Sequence, residues 1–145
     1  MSHGDVLLSM WRSGATSKRI AWVNDRAVEL IERSPRGIVA AQFLLPSATP
    51  PGLGEVGAVR VGLKQVLPRA RRLVVVPEGD AAWQSVVRAV MRAGLAILGQ
   101  SELIRVAASR DSALSLLSDV ASVATPPMGA LVDAHAALSE ALSKP

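Results

Sequence analysis

The segment G52-L-G-E-V-G57 spells G-x-G-x-x-G, and Glu78 follows at the end of the next apolar run. With that spacing Gly52, Gly54 and Gly57 could wrap a loop around a pyrophosphate. An acid roughly 20 residues further on could then take a ribose hydroxyl. Two features set this stretch apart from a working dinucleotide loop. The fingerprint turns directly off its strand, whereas Pro46 to Pro51 intervene here. A complete strand-and-helix pattern also precedes it, and too little chain follows to build the second half of such a fold. In the competing reading, Gly52 and Gly54 leave a proline-rich loop and Gly57 lets a helix sit close to a sheet. A small-ligand crevice at Gly52, Gly54, Gly57 and Glu78, for a nucleotide or a lipid, is therefore the second reading.

Other residues with chemical potential lie where apolar runs end: Ser13, Thr16, Ser47, Thr49, Glu78, Asp80, Ser109 and Asp111. The set offers hydroxyls and acids but no His, Lys or Cys, so it supplies no nucleophile with an adjacent base, and we expect no enzyme. Asp80 and Asp111 read as helix N-caps. The chain has no Cys and only two His, His3 and His135, and Glu78 with Asp80 offers too few oxygens for a hard cation. Neither a metal nor a cofactor is expected.

Trp22 is an aromatic side chain out of register. On a helix it falls opposite Ile20, Val23 and Ile31, among Lys18, Asp25, Arg26, Glu29 and Arg33. A flat aromatic flanked by Arg is the kind of anchor that dominates protein interfaces. Trp22 and Arg26, with His135 on the apolar stripe of the last helix, are the expected interface residues. Their counterpart would be a protein of unknown identity or a second copy in a homodimer.

These residues are positioned by four strand-like runs, each followed by a helix-like segment, the pattern of a parallel sheet with crossover helices. Val6–Trp11 leads to a helix over 16–33, with Thr16 or Ser17 as its N-cap. Ile38–Leu45 leads to a helix over 54–67 whose stripe is Val56, Val59, Leu63, Val66 and Leu67. Leu73–Val76, wholly apolar and therefore placed in the sheet interior, leads to a helix over 80–98. There Trp83, Val86, Val87, Val90, Gly94, Leu95 and Leu98 face inward. Leu103–Ala108, interrupted by Arg105 as an edge strand often is, leads to a helix over 111–121. The break at Thr125-Pro126-Pro127 precedes a last helix over 128–142. The first strand could lie inside the sheet or at its rim.

At 145 residues, half of them apolar, the chain suits a single domain (1–145), with a core over 5–121 and the C-terminal helix added to it. The formal charge is +4 and the pI about 10.6, but the basic residues are scattered. Three Trp, one Phe and no Tyr offer little for stacking bases, so nucleic acid is not the expected partner. No Lys or Arg precedes the first apolar run, and prolines interrupt the longest uncharged one; we expect a cytoplasmic protein without a signal or a membrane span.

Four consecutive βα units in so short a chain resemble the SpoIIAA-like, or STAS, superfamily. The stretch from Arg71 to Leu98 (RRLVVVPEGDAAWQSVVRAVMRAGLAIL), followed by Ser101–Leu117 (SELIRVAASRDSALSLL), resembles its small standalone STAS/SEC14-like members. The resemblance implies a non-enzymatic protein-interaction or regulatory module. It also implies a phosphorylatable serine in an Asp-x-Ser-Gly motif, which this chain lacks; Ser47 and Thr49 stand nearest that position, without the acid or the glycine.

Overall fold

The computed structural model describes residues 1–49, 53–98, 102–120 and 125–143. Five strands form one sheet in the order β1-β2-β3-β4-β5. β1 (Ser2–His3) runs antiparallel to β2 (Val6–Trp11); β2, β3 (Ile38–Leu44), β4 (Ala70–Pro77) and β5 (Ile104–Val106) run parallel. The helices are α1 (Ser17–Arg33), α2 (Leu53–Val66), α3 (Ala81–Leu98), α4 (Arg110–Ser118) and α5 (Met128–Ser143). The α/β class with four βα units and an added C-terminal helix is as expected. The short N-terminal β1 is new, and it places β2 inside the sheet.

Crossovers that step the same way across a sheet, with the usual right hand, leave their helices on one face. Leu30 of α1, Val66 of α2 and, at the margin, Met91 of α3 accordingly pack on Leu7, Ile38, Ala40, Leu73 and Ile104. The opposite residues of the same strands, Val6, Leu8, Val39, Ala41, Phe43, Val74 and Val76, lie under α4 and α5 through Ala113, Leu114, Leu117, Leu131 and Ala134. Every residue from Leu73 to Pro77 is buried, as an interior parallel strand covered on both faces requires. Arg105 of the edge strand is exposed.

Two local devices set the register. Gly37, at φ +82°, turns the chain into β3, and a Cβ there would stand 2.4 Å from the Arg69 carbonyl oxygen. Directly opposite, Ile38 pairs with Ala70 but Val39 pairs with Arg72, so Arg71 is the extra residue of a bulge. Its guanidinium turns to the buried Asp5 carboxylate and to the Val120 carbonyl, joining the start of β2 to the end of α4. Thr125 donates to the other Asp5 oxygen at 2.8 Å.

The helix faces need four corrections. Val56 in α2 and Val86 and Val90 in α3 are about half exposed rather than inward. Asp111 is not an N-cap: Ser109 takes that place, in a capping box with Ser112, and Asp111 sits in the first turn beside Arg110 at 3.0 Å. Thr16 and Asp80 do cap α1 and α3, accepting from the Arg19 and Trp83 amides. Gly94, Leu95 and Leu98 fall outside the described side chains.

Candidate functional site

Two of the three glycines of the motif lie in a helix rather than in a loop. Gly54 and Gly57 lie within α2, exposed, with open space where a Cβ would project, so neither serves a close approach of helix to sheet. Gly52 lies outside the described residues. Glu78, at the carboxyl end of β4, is engaged elsewhere: its Oε1 lies 2.8 Å from His135 Nε2.

That contact also relocates His135. The imidazole is buried within the chain rather than displayed on the surface of α5, its ring edge-on to Phe43 with centroids 4.4 Å apart, and it ties α5 to the rim of the sheet. The two residues are far apart in sequence, and each looked unrelated to the other there. Nearby, the Ser47 hydroxyl donates to the Arg12 carbonyl at 2.6 Å, and Thr49 is exposed against Gly14. Among the described residues no group of three or more His, Asp or Glu could hold a metal ion. No described helix is long and apolar enough to cross a membrane.

Trp22 emerges where its helical phase put it, on the outer face of α1, with 59% of its surface exposed. The Arg26 guanidinium lies 6.0 Å from its ring centroid and also bonds Glu29 at 2.5 Å. Beside it runs a groove of about 530 Å³ along the outer edge of β2, walled by Met10, Trp11, Lys18, Arg19 and Leu138. The groove exists because β1 covers only the first half of that edge. Leu8 exchanges 2.9 Å bonds with Met1, and beyond it no described strand flanks Ser9 to Trp11 on this side. Lys18 and Arg19 pair with no carboxylate among the described residues, while Arg19 donates to the Ser13 hydroxyl and the Gly14 carbonyl. The open edge beside Trp22 is what sequence reasoning missed. It depends on where a two-residue strand stops.

No family model matches the chain, and neither does any curated protein or solved structure.

Proposed function

We propose that the protein is a non-enzymatic interaction module of the STAS-like regulatory kind, whose docking surface is the groove between the β2 edge and α1. The carrying observation is Trp22: a large aromatic, more than half exposed and flanked by Arg26, stands beside the stretch of strand edge from Ser9 to Trp11 that no described strand flanks. An extended segment could add its backbone to such an edge, with Trp22 and Met10 taking its apolar side chains. Lys18, Arg19 and Arg26 favour carboxylates in that segment. A second copy bound by two-fold symmetry would instead set these cations near their own equivalents, which costs affinity. The occupant is therefore an acidic extended segment of a partner protein. Engagement of the Ser47, Ser109 and Ser112 hydroxyls and of His135 within the protomer supports the non-enzymatic reading.

A peptide-display selection on the immobilised protein tests this. Enriched peptides should carry carboxylates around apolar residues and should bind less tightly as salt rises. Trp22→Ala and Arg26→Glu should each weaken them by about tenfold or more with the fold intact. Absence of enrichment, or full-strength binding by Trp22→Ala, would overturn the proposal. A homodimer that dissociates on Trp22→Ala would assign the surface to a second copy instead.

A further inference from the structure

A cavity of about 330 Å³ lies on the other side of α1, between the sheet and the helices α1, α2 and α3. Its size falls within the range of small-molecule sites. It forms because α2 leans towards α1. At Gly62 a Cβ would lie 1.9 Å from Asn24 Nδ2, so the two helices meet closely there, and the sheet between α2 and α3 is left partly uncovered. Val59 and Leu63 of α2, Val87 and Met91 of α3, and Val75 and Ile104 of the sheet supply apolar wall.

Six described residues with polar side-chain atoms interrupt that wall. Ser13 accepts from Arg19, the Trp83 indole donates to the Leu44 carbonyl at 3.4 Å, and Thr49 adds a hydroxyl; the three that matter most are Trp11, Asn24 and Gln42. The alternation that sends Leu7 towards α1–α3 sends Trp11 the same way, and Trp11 lines the cavity. Its indole N–H is buried with no acceptor among the described residues. Gln42 occupies the β3 position that follows Ile38 and Ala40 on this face, where an apolar residue would have filled the space. It and Asn24 also line the cavity, and neither carboxamide has a hydrogen-bond partner among the described residues. A buried donor without an acceptor costs about 1–3 kcal/mol, so Trp11 favours any occupant that brings an oxygen to it. No Asp, Glu, Lys or Arg is among the described residues of the wall, which leaves a buried charged ligand without a counterion.

We infer that this cavity binds a neutral, mainly aliphatic molecule bearing one carbonyl or hydroxyl oxygen, with that oxygen accepting from the Trp11 indole N–H and the chain lying between α2 and α3. This site lies apart from the glycine stretch and on the other side of α1 from the docking groove, with which it shares Trp11 and Val23 as walls, and it does not rest on the proposed function.

The test uses the full chain with 1-decanol, 2-undecanone and decanoate as probes, read by calorimetry and by the indole N–H signals in nitrogen-correlated NMR spectra. The two neutral probes should bind saturably at one site and raise the melting temperature. Decanoate should bind about a hundredfold more weakly. The Trp11 indole proton should move on binding while that of Trp22, on the outer face of α1, stays in place. Trp11→Phe should weaken 1-decanol by about tenfold. Absence of saturable binding would overturn the site, and decanoate binding as tightly as 1-decanol would overturn the neutral assignment. A Trp11 signal that does not move would overturn the role of the donor, whether or not the Phe variant folds.

Discussion

Asp5 is almost completely buried and holds both the Arg71 guanidinium and the Thr125 hydroxyl, so three segments remote in sequence converge on one carboxylate. A buried ion pair adds little when compared with an apolar replacement of both members, but losing one member strands the other. Asp5→Ala should therefore destabilise the protein by about 3–5 kcal/mol in urea unfolding. Simultaneous Asp5→Leu and Arg71→Met should recover much of that loss. Equal damage from the single and the double variants would show that the charge itself is needed. The pairing was not legible beforehand, because nothing local links Asp5 to Arg71; only the bulge at Arg71 directs that side chain inward. The same holds for His135 and Glu78. Sequence alone suggests an interface role for the first and a ribose contact for the second; tertiary structure makes them partners. Trp22 was legible because helical phase alone decides its side of α1.

At the scale of elements, period and punctuation carried most of the information. Thr16 and Asp80 cap their helices because a short side-chain oxygen ahead of an apolar stripe satisfies an amide of the first turn. Ser109 outcompeted Asp111 for the same role because Ser112, three residues on, closes a capping box with it. Asp80→Ala and Ser109→Ala should each cost about 1 kcal/mol, while Asp111→Ala should stay within about 0.5 kcal/mol in thermal unfolding. Comparable losses at all three positions would contradict this assignment. α2 was the least legible helix. Its apolar residues spread around the axis, leaving Val56 and Val61 about half exposed, and its glycines imitate a phosphate loop. Since Gly57 is exposed in a helix interior with open space at its Cβ, Gly57→Ala should stabilise the protein by about 0.5–1 kcal/mol. Destabilisation would mean that the helix packs more closely there than its surroundings indicate.

For the whole molecule, the strand order follows from βα alternation with a fixed crossover hand, which is why the class was readable without any recognised motif. The length of β1 and the lean of α2 were not, since both depend on how distant parts meet; the groove and the cavity arise from those two features. The order also has a cost. All three crossover helices shelter one side of the sheet, and the other side waits for α4 and α5, where Leu114, Leu117 and Leu131 complete the packing over Phe43, Val74 and Val76. A chain stopped after Pro126 should therefore lose its cooperative melt and bind a hydrophobic dye, as loosely packed states do; a sharp, dye-free transition would refute that. During synthesis, then, four parallel strands leave the ribosome before the last helix that buries Phe43. Until that helix docks, the apolar side of the sheet over Phe43, Val74 and Val76 is incompletely covered, the kind of transient surface through which partly folded chains associate.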